Sequence, residues 1–204
     1  MPRYGMVVDL KRCVGCNACT VACKAEHGTP PGIFFTKVFE QVTGKFPIVH
    51  KKYVPNLCYH CTDAPCNKVC PTGASHSRED GIVLVDDNQC IGCRACYVAC
   101  PYKNRYFLPK GHLKKGYFGG KLTPFEEKKY SKYQEGTVIK CTFCADRVDA
   151  GQKPACVVTC IAAARIFGDL DDPQSEISRL IRQRGGSQPL SDMNTEPAVY
   201  YLEG

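Results

Sequence analysis

Two stretches of eleven residues, CVGCNACTVAC at 13–23 and CIGCRACYVAC at 90–100, carry four cysteines at the same spacing. The likeness extends upstream, because residues 8–23 and 85–100 are identical at 10 of 16 positions with a constant offset of 77. A match of this length at one offset indicates an internal repeat. Two further groups of four cysteines lie at residues 58–70 and 141–160.

The cysteine content, 16 of 204 residues, is typical of a disulfide scaffold or a metal protein. No cysteine lies outside a group of four. The four quartets are Cys13, Cys16, Cys19 and Cys23; Cys58, Cys61, Cys66 and Cys70; Cys90, Cys93, Cys96 and Cys100; and Cys141, Cys144, Cys156 and Cys160.

Three kinds of chemistry could use these cysteines. Disulfide frameworks belong to small secreted chains, and the N-terminal residues here have no apolar signal-peptide core. Zinc sites use C-x2-C pairs a dozen or more residues apart and need no third cysteine two residues further on. The run C-x2-C-x2-C-x3-C is the bacterial ferredoxin pattern, in which the fourth cysteine binds the neighbouring cluster. Iron-sulfur binding is therefore favoured, with structural zinc as the alternative.

The ferredoxin pattern also predicts local structure. Gly15 and Gly92 allow the loop backbone to approach a cluster closely. The β-branched runs YGMVVD at 4–9 and GIVLVD at 81–86 predict strands that lead into cluster loops. We expect short helices to follow the last cysteine of each quartet.

The residue after each quartet suggests how the quartets pair. Proline follows the second and third quartets, at Pro71 and Pro101, whereas Lys24 and Ile161 follow the first and fourth. Because each ferredoxin run donates its last cysteine to a partner run, the second quartet is expected to pair with the third and the first with the fourth.

Composition and charge restrict the class of protein. With 44% apolar and 23% charged residues the chain is globular, and no stretch is apolar for long enough to insert in a membrane. The formal charge is +7. Four thiolate-bound 4Fe-4S sites at about −2 each would bring the total to about −1. The basic residues are thus expected to balance anionic clusters and not to bind nucleic acid.

Four runs of the sequence together carry a family resemblance. These runs are CVGCNACTVACKAEH, CYHCTDAPCNKVCPTGASHSREDGIVLVD, KCTFCADRVDAGQKPACVVTC and GDLDDP. In them the chain resembles the four-cluster iron-sulfur subunit of complex iron-sulfur molybdoenzymes, which include dimethyl sulfoxide, polysulfide, thiosulfate and arsenate reductases. The resemblance implies an α+β fold of two nested bacterial-ferredoxin-like units with long loops. It also implies four 4Fe-4S clusters, since the third quartet is complete, where some members lack one cysteine.

Carried over residue by residue, the resemblance implies four ligand sets. The outer unit would use Cys13, Cys16 and Cys19 with Cys160, and Cys141, Cys144 and Cys156 with Cys23. The inner unit would use Cys58, Cys61 and Cys66 with Cys100, and Cys90, Cys93 and Cys96 with Cys70. Ile161 replaces a proline often found in the family, which puts the local turn in doubt.

The expected organisation follows from these sets. The outer unit spans residues 1–50 and 136–168, the inner unit 51–100, an inserted loop 101–135 and a C-terminal extension 169–204. Residues 101–140 hold 8 of the 20 aromatic residues and predict a docking loop that buries Tyr117, Phe118 and Phe125 on a partner.

The C-terminal extension is expected to contain one helix and one strand. The helix is predicted in DDPQSEISRLIRQRGG, capped near Asp171 or Asp172 with Pro173 in its first turn, and the last strand is predicted in PAVYYL. His60 is expected at the surface or beside a cluster, not as a ligand.

The resemblance implies a function without catalysis in this chain. It would be the electron-transfer subunit of an oxidoreductase complex, between a large molybdopterin-containing catalytic subunit and either a quinone-reactive membrane subunit or a soluble partner. The alternative is a free-standing polyferredoxin. Without a signal peptide or membrane helix of its own, the protein is expected in the cytoplasm, or in the periplasm after export with a twin-arginine catalytic partner.

Overall fold

The computed structural model describes residues 1–203, which form an α+β fold of short helices and small sheets. The strands are β1 Tyr4–Asp9, β2 Thr36–Lys45, β3 Ile48–Leu57, β4 Ser75–Ser77, β5 Val83–Val85, β6 Arg105–Phe107, β7 Val138–Lys140, β8 Arg165–Asp169 and β9 Val199–Leu202. The helices are α1 Ala18–His27, α2 Pro65–Lys68, α3 Ala95–Ala99, α4 Pro124–Tyr130, α5 Ala145–Asp149, α6 Ala155–Val158 and α7 Glu176–Arg184.

The largest sheet brings the two ends of the chain together. Its order is β8-β1-β9, with β1 antiparallel to β8 and parallel to β9. Side chains of a strand alternate between faces, so Met6 and Val8 pack in the main core while Val7 packs with Ile177 of α7 on the other face. The strands predicted at 4–9, 81–86 and the C-terminus are confirmed, the second as the shorter β5.

The expected position of the short helices is wrong. Each helix starts before the last cysteine of its quartet and does not follow it: α3 ends at Ala99, just before Cys100. The x3 spacing between the third and fourth cysteines spans one helical turn. Pro71 and Pro101 then force the preceding cysteine out of helical geometry, and Cys100 is indeed extended at φ −75° and ψ 111°. Helix α1 continues to His27, which Lys24 permits because it is not proline, whereas α6 ends at Val158 although Ile161 follows Cys160.

A long hairpin was not anticipated. Strands β2 and β3 pair over ten positions, from Thr36 with Leu57 to Lys45 with Ile48. The expected unit boundary between residues 50 and 51 lies inside β3. At the tip, Phe46 is 92% exposed. The valines and Phe39 in KVFEQV and the nearby Gly44 were weak signals of a strand and a turn.

Residues 101–140 contain regular structure and pack on the chain itself. Helix α4 begins with a capping box between Thr123 and Glu126. The hydroxyl of Tyr117 donates to the carbonyl of Thr29, and that of Tyr133 donates to the carbonyl of His27. Much of the order of this segment therefore comes from contacts within the chain.

The C-terminal helix begins later than expected. Ser175 caps α7 by accepting from the Ser178 amide, so Asp172 and Pro173 lie before the helix and not in its first turn. The expected end at Gly185 is confirmed, since this residue takes the left-handed conformation with φ 66°. Within residues 1–203, no helix combines the length and apolar character needed to cross a bilayer.

Candidate metal-cluster sites

The two repeated loops have the same backbone. Gly15 and Gly92 have φ of 69° and 68°, and Asn17 and Arg94 are left-handed at 58° and 63°. Both loops are also entered in the same way. The carbonyls of Asp9 and Asp86 accept from the amides four residues on, Cys13 and Cys90, at 3.2 and 3.0 Å. The repeat seen in the sequence is therefore a repeat of conformation.

The structure brings the cysteines into four groups that cross the quartets. Cys160 lines one cavity with three cysteines of the first quartet, and Cys70 lines another with three of the third. Cys23 interacts electrostatically with three cysteines of the fourth quartet, and Cys61 interacts with Cys100. We name the groups site I (Cys13, Cys16, Cys19, Cys160), site II (Cys141, Cys144, Cys156, Cys23), site III (Cys58, Cys61, Cys66, Cys100) and site IV (Cys90, Cys93, Cys96, Cys70).

Sites II and III are neighbours. Cys141 of site II interacts with Cys58 of site III, which joins the two halves. Burial raises the pKa of Tyr106 to about 12, and the charges of Cys141 and Cys23 of site II and of Cys58 and Cys100 of site III raise it as well, so this side chain is near both sites. Within residues 1–203, no three His, Cys, Asp or Glu side chains converge as ligands of a single ion do.

The donor atoms fit iron-sulfur clusters. All sixteen cysteines are free thiols. Burial raises the pKa of Cys61 and of Cys144 to about 12, and it raises the pKa of Cys23 and Cys141 further. A buried thiolate needs a positive partner, which a bound metal supplies because it deprotonates a coordinating thiol outright. Sets of four sulfur donors suit iron-sulfur clusters or zinc.

Backbone amides donate to two of the crossing cysteines. The amide of Ser75 lies 3.3 Å from Cys70 Sγ, and the amide of Ala164 lies 3.3 Å from Cys160 Sγ. The turn after Cys160 also resembles the proline-containing turns, because the Ala163 amide donates to the Cys160 carbonyl as Gly73 does to Cys70. Ile161 therefore does not disturb the local turn.

Two histidines lie beside the sites. His60 is buried, stacks on Phe143 with 3.7 Å between ring centroids and accepts from the Val83 amide through Nδ1. Burial lowers the pKa of His60 well below its usual range, so the ring is neutral. A surface position for His60 is thus wrong. His27 Nε2 lies 3.2 Å from Cys144 Sγ, a contact that sequence spacing did not indicate.

Three buried cations are the functional candidates that the sequence analysis missed. Arg105, Arg165 and Lys140 are each at most 3% exposed. A signal was present, since each arginine lies five residues after a fourth cysteine, Cys100 or Cys160, and Lys140 directly precedes Cys141.

Only two of the sixteen cysteines are exposed, and they are equivalent in the repeat. Cys16 belongs to site I and Cys93 to site IV. Exposed apolar side chains accompany both, and they too are equivalent at the offset of 77: Val14 and Val21 near Cys16, and Ile91 and Val98 near Cys93. The surfaces around Cys16 and Cys93 are thus similar.

The chain also matches family models and known proteins. Models described as 4Fe-4S dicluster domains match residues 12–74, and residues 49–116 with 121–170. The arsenate respiratory reductase iron-sulfur subunit of Shewanella sp. is 41% identical, over 98% of this chain and 96% of its own length. The thiosulfate reductase electron transfer subunit of Salmonella typhi is 42% identical, over 89% and 83%. One of the chains of polysulfide reductase from Wolinella succinogenes is 34% identical, over 98% and 94%.

Proposed function

The protein is a member of the four-cluster iron-sulfur subunits of complex iron-sulfur molybdoenzymes, and we propose that its sites I to IV form one electron relay in that order. It is an electron-transfer protein with 4Fe-4S clusters, and its relatives are subunits of reductase complexes, which favours this function over a free-standing polyferredoxin. The catalytic site of the complex would lie in another chain.

The grouping of the cysteines carries the proposal. In every site three cysteines of one quartet meet the last cysteine of another, as the ferredoxin pattern requires. The first quartet exchanges its last cysteine with the fourth, and the second with the third. This exchange supports two nested ferredoxin-like units, with all sixteen cysteines as iron ligands.

A bound 4Fe-4S cluster would accept and release one electron at a time. The chain's own residues would hold the clusters, exclude water and adjust their potentials. Phe143 and Tyr106 fill the space around sites II and III, where burial lowers the local dielectric. Amide donors such as Ser75 would stabilise the charge on sulfur.

The exposed ends would be the places where electrons enter and leave. We propose that the surface around Cys16 and the surface around Cys93 contact different partners. An exposed cysteine ligand gives a partner a short path for electron transfer to the cluster, and the apolar side chains beside it can form the interface. One partner would be the molybdopterin-containing catalytic subunit. The other would be a quinone-linked membrane subunit or a soluble redox protein, and the compartment would follow the catalytic partner.

Anaerobic purification from the native host tests this function. We expect about sixteen iron and sixteen acid-labile sulfide per chain, the content of four cubanes, with a large molybdopterin-containing chain in the same gel-filtration peak. A colourless zinc-containing protein would contradict cluster binding. A brown protein that elutes alone and exchanges electrons with several soluble partners would instead be a diffusible carrier.

A further inference from the structure

Three cationic side chains lie inside the molecule among the cysteine sites. Arg105 Nη2 donates to Cys66 Sγ at 2.9 Å and to Ser75 Oγ at 2.6 Å. Arg165 Nη2 donates to Thr36 Oγ1 at 2.8 Å. Lys140 Nζ donates to the carbonyls of Val83 and Cys141, the latter at 2.5 Å.

None of the three cations has a carboxylate partner among residues 1–203, although ten ion pairs form elsewhere in that range. Arg105 Nη1 is buried without any hydrogen-bond partner. A buried charge without a counter-charge is strongly unfavourable. Neutral oxygens satisfy some of the donors but do not balance three positive charges.

Each cation lies between two consecutive sites. Arg105 contacts Cys66 of site III and interacts with Cys96 of site IV. Arg165 lines the cavity of site I and interacts with Cys156 of site II. Lys140 lies against Cys141 of site II, and its charge also acts on Cys66 of site III.

We propose that Arg165, Lys140 and Arg105 are the buried counter-charges of the relay, one between each pair of consecutive clusters, and that each raises the reduction potentials of the two clusters beside it. This inference rests on the proposed function. A thiolate-ligated 4Fe-4S site is anionic, at about −2 in its oxidised form, and becomes more negative on reduction. A cation held at low dielectric therefore favours the reduced form of both neighbours and weakens the repulsion between them.

Position relative to a crossing cysteine supports a common role for the two arginines. Both follow a crossing cysteine by five residues and begin a strand, β6 or β8. Each therefore follows, at the same separation along the chain, the residue that one quartet donates to another. A purely structural arginine would need shape and hydrogen bonds only, whereas this role needs the positive charge.

The test is an EPR-monitored redox titration of the assembled complex with Arg105→Gln, Arg105→Lys and Lys140→Met, with iron content measured alongside. The exposed Lys103→Gln, three residues after Cys100, is the matched control for loss of one charge in solvent. Arg105→Gln is expected to lower the reduction potentials of the clusters in sites III and IV by at least about 59 mV, which is a tenfold change in the equilibrium constant for one-electron reduction. Sites I and II should move less. Lys140→Met should instead shift sites II and III, while Arg105→Lys and Lys103→Gln stay near the wild type.

The outcomes separate this inference from the proposed function. Sixteen iron with unchanged potentials in Arg105→Gln and Lys140→Met would overturn the inference and leave the relay intact. Shifts spread equally over all four clusters, or equal to that of Lys103→Gln, would also overturn it. If Arg105→Gln loses iron, recovery of iron in Arg105→Lys supports a role for charge, and failure to recover shows that only shape matters. Absence of iron from the wild type would contradict the proposed function itself.

Discussion

The loops of sites I and IV have the same backbone conformation, but the helices that follow them differ in length. After Cys100, Pro101 ends α3 after five residues, whereas α1 continues past Cys23 for a total of ten residues. The extra helical turn carries His27 to Cys144 and places Lys24, whose Nζ donates to the Ile33 carbonyl at 2.7 Å. The same cysteine spacing thus serves a closed inner unit and an outer unit that reaches distant segments.

This difference shows two levels of specification. Cysteine spacing and a left-handed glycine determine the loop and its first helical turn. A proline directly after the fourth cysteine ends the helix, as at Pro101. Without proline the helix can continue, as α1 does, or end at the same turn, as α6 does before Cys160. Predictions that treat equivalent positions of the two units as matched pairs test this distinction.

The largest expected effect concerns ligand exchange within the inner unit. Cys100→Ala should remove the site III cluster and so lower iron from about sixteen to about twelve per chain. Cys61→Ala should do the same. If both residues serve one cluster, the double variant should lose no more iron than either single variant, while Cys100→Ala with Cys93→Ala should retain about eight.

The matched experiment in the outer unit pairs Cys160→Ala with Cys16→Ala, for which the same non-additive loss is expected at site I. Iron and sulfide analysis, with EPR of each variant, measures the outcome. If Cys100→Ala and Cys93→Ala together lose only one cluster, Cys100 serves its own quartet and the nested pairing is wrong.

The equivalent glycines Gly15 and Gly92 are expected to tolerate alanine differently. Both have left-handed backbone, which costs an alanine about 1 kcal/mol. At Gly92 the added methyl would also overlap the carbonyl oxygen of Gly136, while at Gly15 it would meet the side chain of half-buried Tyr53, which can move. Overpacking against backbone adds about 1–3 kcal/mol.

Gly92→Ala should therefore lose its clusters in guanidinium much faster than Gly15→Ala. The measurement is the rate of decay of the absorbance near 400 nm under anaerobic conditions. Equal rates would mean that the Gly136 carbonyl yields as easily as the tyrosine ring.

Sequence reasoning recovered the parts of the molecule that depend on local spacing. The sixteen cysteines, the repeat and strands β1, β5 and β9 were predictable because each depends on nearby residues. The hairpin of β2 and β3 was missed because its pairing depends on contacts between strands whose residues are largely exposed and lack a strong apolar pattern.

The buried cations show a different limit. The charge of +7 suggested that basic residues balance the clusters, but a count does not show which of them are buried. Arg105 and Arg165 enter the core because residues far away, Ser75 and Thr36, accept their hydrogen bonds. Such contacts depend on tertiary structure and leave little trace in a single sequence.

The equivalent surface valines Val21 and Val98 should distinguish the two ends of the relay. Val21→Glu would place a charge on the apolar surface near Cys16 and should weaken one partner roughly tenfold or more, about 1.4 kcal/mol. Val98→Glu should weaken the other partner instead. Association with the catalytic subunit, measured with iron content as the control, decides which end each partner uses.

The insertion provides a comparison for these surface variants. Phe118 and Phe125 remain exposed although other residues of their segment, such as Tyr130, are buried in the chain, so docking by residues 101–140 stays a prediction. Phe118→Ala and Phe125→Ala should weaken the same partner as Val21→Glu, because Lys129, which contacts the Phe125 ring, lines the groove beside Cys16. Wild-type affinity in both would remove the insertion from the interface.

The smallest expected effect concerns Ile161, the position where the outer unit lacks the proline of the inner one. Its side chain is exposed, and the turn from Cys160 to Ala163 already has the hydrogen bond found after Cys70 and Cys100. The Ile161 amide donates to no acceptor within residues 1–203, so proline would break no bond there. Proline suits the second position of such a turn, and fixing it removes freedom from the unfolded chain. Ile161→Pro should therefore slow cluster loss slightly, by the equivalent of about 0.4–1 kcal/mol, and Pro101→Ile should hasten it by a similar amount. If Ile161→Pro instead hastened cluster loss at site I, the backbone of Cys160 would differ from that of Cys100, and the likeness between the two units would end at the fourth cysteine.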